Sequence, residues 1–355
     1  MEQLIPGISK WPKSSGGLAT GWYGWAWVWF QLCEAGLIKD CNKTFQNVIA
    51  YIKKAKHEEH NSISHFGGYG AVPLICTMIY QHDSTEKRLF NKQIRTWQKA
   101  IKDCQSYDVA LGHAGALLAC AEIESRLPGQ IPSSLLTQLW KPIISAIREI
   151  IKDPYAQFLG YSHGIAGYLY ALETGRSVFG LKVPAGLIQD CKNLLWSGRI
   201  NIDSRSYWPH RLGEKKVGIH GWCHGAPGVA LAYLGCYLLT KESTYKDHME
   251  VALGSSAAKI TRPNLFCCGK IGQAQIFLEK FQTLNDDSHW KDMKHTYRLS
   301  LAQNEHKDDA SESFFFGSLG HLYLKIRMQN IGSLPMPGFG FFSHAKFFPK
   351  GIDEK

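Results

Sequence analysis

The pattern Gly-x-x-Gly followed by an apolar run occurs seven times in this chain. It reads GWYG at 21, GGYG at 67, GHAG at 112, GIAG at 164, GAPG at 225, GKIG at 269 and GSLG at 317, with steps of 46, 45, 52, 61, 44 and 48 residues. One such motif means almost nothing. Seven at similar spacing, each opening about ten mostly apolar residues, mark a repeat architecture. The runs WAWVWFQLCEAG, ALLACAEIESRL, VALAYLGCYLL and QAQIFLEKFQTL are apolar nearly all round, as expected of buried helices. Between them lie segments with a one-sided stripe: TFQNVIAYIKKAK (44–56), LFNKQIRTWQKAIKD (89–103) and SLLTQLWKPIISAIREIIKD (134–153). Their apolar residues recur at three- and four-residue spacing, the period of an amphipathic helix. No run of alternating strands is expected.

Each repeat is thus one buried and one outer helix, and seven such hairpins bury their inner helices best by closing on themselves. The expected fold is all-α: an α/α toroid, a double-layered helical barrel of seven helical hairpin repeats, with residues 1–355 as a single domain. An open solenoid is the alternative, but such arrays usually end in polar capping repeats, and here the first and last runs are as apolar as the others. The glycines are expected at the start of each inner helix, where seven converging chains would crowd a side chain.

Composition supports a large ordered core: 45% of the 355 residues are hydrophobic, with no long polar tract. The apolar runs are broken by Gly or charge well before 18 residues, so no membrane span is expected. The start, MEQLIPGISKWPKSSGG, lacks the basic and apolar regions of a signal peptide, and a cytoplasmic location is expected. The net charge of +10 is spread over KKAK, KDMKHTYR and GEKK and forms no block, unlike a nucleic-acid footprint. A solvated basic surface is the plain reading, with attraction for an acidic peptide kept open.

Most of the ten cysteines are expected to be reduced. Cys33, Cys76, Cys120 and Cys236 lie in apolar runs as small buried hydrophobes. Cys41, Cys104 and Cys191 stand beside polar residues and are read as incidental. Cys223, Cys267 and Cys268 are different. Cys223 and Cys267 each lie two residues before a motif glycine in consecutive repeats. Cys268 and His163 each lie one residue before such a glycine, and Asp108 lies four before Gly112. If the glycines start equivalent helices, three thiols, an imidazole and a carboxylate gather at one rim, at helix N-termini that favour anions. Zinc is the economical reading of three thiols in matching register, because a catalytic zinc takes three protein ligands and keeps one position open. The alternative is three small buried side chains. His163 is either a hydrogen-bonded core histidine or an acid/base; Asp108 is a turn residue or the group that orients that histidine. His224 either supports the ligands or is a second acid, and His65 and His113 are read as structural.

Four stretches resemble the lanthionine synthetase C-like family, the lantibiotic cyclases: SYDVALGHAG, GYSHGIAGYLYAL, GWCHGAPGVALAYL and LFCCGKIGQAQIFL. The resemblance runs from GLATGWYG at 17 to FFFGSLG at 314. It implies an α/α toroid with one zinc, and an intramolecular addition of a peptide Cys thiol to dehydroalanine or dehydrobutyrine. By motif, His163 matches the family's acid/base histidine, Asp108 its acidic position, and Cys223 and Cys267 two zinc ligands. The third ligand is usually His; here it is Cys268, as in the subgroup with Cys-Cys-Gly. WCHGAPG, with His224, resembles the cyclase domains of class II synthetases. Three thiolates would give the metal site a net charge of −1 against zero for two Cys and one His, so the bound thiolate should be more nucleophilic and the zinc a weaker Lewis acid. Some relatives carry Arg where this chain has Ile219, with His220 or His224 as possible substitutes. The expected partners are a dehydrated precursor peptide and a separate dehydratase or synthetase partner, unless the chain is a fragment of a larger synthetase. Two other functions stay open: addition of glutathione to dehydrated proteins, and a zinc-containing peptide-binding scaffold without catalysis.

Overall fold

The computed structural model describes residues 16–39, 41–55, 62–153, 157–218, 220–256, 265–302, 313–331 and 334–339. Seven helices begin at the repeated glycines: α1 (Trp22–Glu34), α3 (Ala71–His82), α5 (His113–Arg126), α7 (Ile165–Phe179), α9 (Ala226–Thr240), α11 (Lys270–Leu284) and α13 (Ser318–Gln329). Six others alternate with them among the described residues: α2 (Asn42–Lys54), α4 (Lys87–Asp103), α6 (Ser133–Lys152), α8 (Leu187–Ser197), α10 (Ser243–Ser256) and α12 (Trp290–Ala302). The two sets differ as their sequences require. From Ala226 to Cys236 every residue of α9 is buried. α4 buries only Leu89, Phe90, Gln93, Ile94, Trp97 and Ile101, one stripe of its surface. The first set is the inner wall and the second the outer.

The ring closes, and its backbone shows how. In six of the seven pre-helix turns, one residue donates its N–H to the equivalent carbonyl of the next repeat. Ala19 donates to Phe66 (2.8 Å), Ala110 to Ser162 (3.0 Å), Ser162 to Cys223 (3.1 Å) and Cys223 to Cys267 (3.0 Å). Cys267 then donates to Phe315 (3.1 Å) and Phe315 back to Ala19 (2.9 Å). The remaining link runs through a side chain: Phe66 N–H donates to Ser64 Oγ, which donates to the Val109 carbonyl at 2.7 Å. The circuit joins the last repeat to the first, and Trp27 of α1 packs edge-on against Phe314 and Tyr323 at the same seam. An open solenoid is thereby excluded.

The same circuit corrects the register of the second repeat. A Cβ built on Gly68 would lie 2.0 Å from the carbonyl oxygen six residues back, as at Gly112 (2.2 Å) and Gly164 (2.3 Å). The equivalent turn is therefore Gly68-Tyr69-Gly70-Ala71, and GGYG at 67 is one residue out of step. The reason for the glycines is also more local than expected. At Gly115 an added Cβ would meet the Val109 carbonyl at 1.9 Å and Ser64 Oγ at 2.2 Å. Each turn folds back onto the start of its own helix, and that close approach, more than crowding between chains, demands glycine. Gly115→Ala is expected to cost about 1–3 kcal/mol in urea unfolding, with the strain transmitted to the 106–111 turn.

Two further sequence expectations are overturned. Cys33 and Cys41 form a disulfide, with Cα atoms 6.2 Å apart, within ordinary bridging distance. The chain reverses at Gly36 (φ 69°), which brings the end of α1 back to the start of α2; the other eight cysteines carry thiols. A short antiparallel hairpin is also present, β1 (Ile200–Ile202) with β2 (Arg205–Tyr207). It occupies the longest step between motifs, and its two turn residues, Asp203 and Ser204, have positive φ.

Residues 334–339 pass inside the ring. The Pro335 carbonyl accepts from Tyr323 Oη of α13, Met336 N–H donates to Glu279 of α11, and Phe339 stacks on Tyr170 of α7. Leu334, Met336 and Phe339 are buried there. No helix among the described residues is long and apolar enough to cross a membrane.

Candidate active site

Because the pre-helix turns are tied in a circle, residues far apart in sequence share one rim. The 106–112 turn carries Asp108. Its Oδ1 accepts the Leu111 N–H at 2.7 Å, and its Oδ2 accepts from His163 Nδ1 at 2.7 Å. Asp108 is therefore both a turn residue and the partner of a histidine. A carboxylate can only accept here, so Nδ1 carries the proton and Nε2 is left for exchange. The His163 side chain is 35% exposed, open enough to meet a ligand while Asp108 is largely covered.

His163 faces His224 of the next repeat, with ring centroids 5.8 Å apart. His224 is buried, and its Nε2 lies 3.0 Å from Nε2 of His210, so one ring donates and the other accepts. Burial, together with the nearby His210 and His163, pushes His224 down to about 3. It stays neutral at ordinary pH and acts there as a hydrogen-bonding group. Phe158 packs beside both histidines, at 4.7 Å from His210 and 5.6 Å from His224, and Arg211 lies over its other side. Sequence reasoning missed His210. It follows the hairpin in the longest repeat step, and its carbonyl accepts from Leu159 N–H at 3.1 Å. The one sequence signal was the extra length of that step.

The three singled-out thiols meet. Cys223 is buried; Cys267 and Cys268 are half-buried. The backbone links Cys223 N–H to the Cys267 carbonyl, and Gly221 lets the two turns touch: a Cβ there would lie 2.4 Å from Cys268 Cα. The Cys267 thiol hydrogen-bonds with Cys223 and with Cys268, and these contacts, with burial, raise its pKa far above the ordinary range. Among the described residues no group of three or more His, Cys, Asp or Glu side chains stands at metal-holding geometry. What joins the sulfurs as they stand is thiol–thiol hydrogen bonding. The donor chemistry nonetheless suits zinc: a metal there would take the place of the shared protons, once the sulfurs turn from one another toward the ion.

A sequence model of the family described as "Lanthionine synthetase C-like protein" matches residues 12–339. The chain belongs to the lanthionine synthetase C-like family. Among solved structures it is similar to one titled "Nisin cyclase", with a TM-score of 0.75 and 18% identity over 98% of this chain and 95% of that one. At that identity the likeness is one of fold, and it agrees with the toroid read from the repeats.

The other histidines of this family member sort themselves by burial. His65 Nδ1 is 2.9 Å from the Gly115 carbonyl oxygen and His113 Nδ1 is 2.7 Å from that of Ser106; both serve the turns, as expected. Burial pushes His65 and His220 down to about 4. Ile219 lies outside the described residues.

Proposed function

We propose that this chain is a zinc-dependent cyclase that closes thioether rings in a dehydrated peptide. The observation that carries the reading is the Asp108–His163 pair, whose histidine stands on the turn tied through Ser162 N–H to the Cys223 carbonyl. A zinc that only staples a fold needs no such pair. Cys223, Cys267 and Cys268 would hold the metal, which when bound keeps the substrate thiol ionised as the nucleophile. As the sulfur bonds to the β-carbon of dehydroalanine or dehydrobutyrine, the alkene electron pair moves onto the α-carbon and its carbonyl. His163 Nε2, unprotonated while Asp108 holds the proton on Nδ1, takes the proton given up by the substrate thiol and delivers it to that α-carbon, so the addition is balanced and the peptide mass is unchanged. Asp108 holds the ring in the tautomer this needs. His224, neutral, donates or accepts a hydrogen bond beside them without exchanging charge. The substrate is a peptide already dehydrated at serine or threonine, so a dehydration reaction must precede this one.

The test is to incubate the zinc-loaded chain with a dehydrated peptide and count alkylatable thiols by mass spectrometry. One thiol should disappear per ring at constant mass, and no adduct should form when glutathione is added in competition. Persistence of every thiol would sink the reading, and a glutathione adduct would replace it with intermolecular addition. In the same assay Cys268→His should keep one zinc per chain and slow ring closure by about tenfold, because the bound thiolate loses electron density from a third thiolate. An unchanged rate would show that the third sulfur has no kinetic role.

A further inference from the structure

The seven residues that stand one before each motif glycine form the lip of the rim. In the order set by the backbone circuit they are Thr20, Gly67, Leu111, His163, His224, Cys268 and Phe316. Three consecutive members, His163, His224 and Cys268, make the reactive arc. The two members that bracket this arc are large and apolar, and they are among the most exposed large hydrophobic side chains described: Leu111 at 42% and Phe316 at 45%. The remaining two, on the far side of the mouth, are small. At Gly67 a side chain is excluded, since a Cβ would lie 2.7 Å from Leu111 Cδ2 and 2.8 Å from the Ala110 carbonyl oxygen.

We propose that Leu111 and Phe316 are the two walls of a subsite for apolar side chains of the peptide substrate on either side of its reacting cysteine, with the chain crossing the low edge at Thr20 and Gly67. This rests on the cyclase reading for the identity of the occupant. The walls are exposed, yet their backbones are fixed. Leu111 N–H is held by Asp108 Oδ1, and its carbonyl accepts from Ile63 N–H and Ser62 Oγ, both at 2.9 Å. Phe316 N–H donates to Ser313 Oγ, and its neighbour Phe315 is a member of the circuit. Asp108 thus fixes Leu111 with one oxygen and His163 with the other, so the wall and the acid/base group keep a constant spacing. Tyr107, on the same turn and 37% exposed, extends the Leu111 wall. An exposed apolar side chain on a rigid backbone, at the rim position next to the reactive arc, gains by being covered when an extended peptide lies across the mouth. The chemistry selects apolar or aromatic flanks over acidic or hydroxylated ones.

The experiment uses the zinc-loaded chain and two fluorescent dehydrated peptides, one with Leu and Phe flanking the reacting cysteine and one with Ser at both places. Binding is followed by anisotropy and turnover by thiol loss. Wild type should prefer the apolar-flanked peptide by about tenfold in Kd and KM. The Leu111→Ser/Phe316→Ser pair should bind both peptides alike, with kcat unchanged, and Leu111→Met/Phe316→Leu should restore the preference. A preference that survives the Ser pair, or that wild type lacks, overturns the subsite. A preference lost on mutation in a wild type that binds but never closes a ring keeps the subsite and overturns the cyclase reading.

Discussion

His163→Ala is expected to slow ring closure by roughly 10²–10⁴-fold, the usual worth of a positioned acid/base group, while the zinc content stays at the wild-type level. The argument is geometric. His163 is the half-exposed titratable group of the reactive arc whose partner leaves one ring nitrogen open, because Asp108 Oδ2 occupies Nδ1. His224 cannot replace it: burial holds it neutral, and its Nε2 is engaged with His210. Asp108→Asn is the sharper variant. It can keep the bond to Leu111 N–H and so the turn, but its amide can present an N–H to His163. That contact selects the tautomer with the proton on Nε2 at the moment the ring must shuttle it, and a similar loss is expected without unfolding. The two changes act on one unit, so the double variant should be no slower than the worse single one. Single-turnover thiol loss, with metal analysis on each variant, decides it. A His163→Ala enzyme that closes rings at the wild-type rate ends the assignment.

The repeat period made the ring legible because the second glycine of six of the seven motifs is forced by the same clash, with the carbonyl oxygen six residues back in its own turn. Register was less secure where one member departs from the rule. Ala71 replaces the second glycine of the second turn, and the neighbouring Gly67 supplies a false match one residue away. The thiols, His163 and Asp108 could be grouped from register alone because the circuit of backbone hydrogen bonds passes through equivalent positions of the pre-helix turns. His210 could not, since it enters from an insertion with no counterpart in the other repeats and reaches the site by pairing beside residues 157–159. The Cys33–Cys41 bridge was hidden for a similar reason. It depends on a reversal at Gly36 that has no periodic signature, and composition alone reads those two cysteines as a buried one and an incidental one.

Arg327→Leu is expected to destabilise the fold by about 3–5 kcal/mol, the cost of stranding one partner of a buried ion pair. Arg327 lies on α13 with its side chain fully buried. Its guanidinium donates to Glu279, Gln275 and Gln282 of α11, and its Nε donates to the Leu334 carbonyl of the inner segment. Burial already raises the Glu279 carboxyl, with Arg327 as the main force pulling it back. Without Arg327 that carboxylate must either protonate or stay charged in a dry interior, and the 334–339 segment loses a tether. Replacing both partners by apolar residues, Arg327→Leu with Glu279→Met, should recover part of the loss, because no charge is then left unpaired. Recovery should be incomplete, since Met336 N–H also relies on Glu279. Urea unfolding followed by tryptophan fluorescence reads both variants. A single Arg327→Leu within 1 kcal/mol of wild type, well below the roughly 3 kcal/mol floor for a broken buried pair, would show that the cluster is solvated rather than closed. Thiol loss per folded molecule should not change in either variant, because the cluster touches none of the seven rim positions.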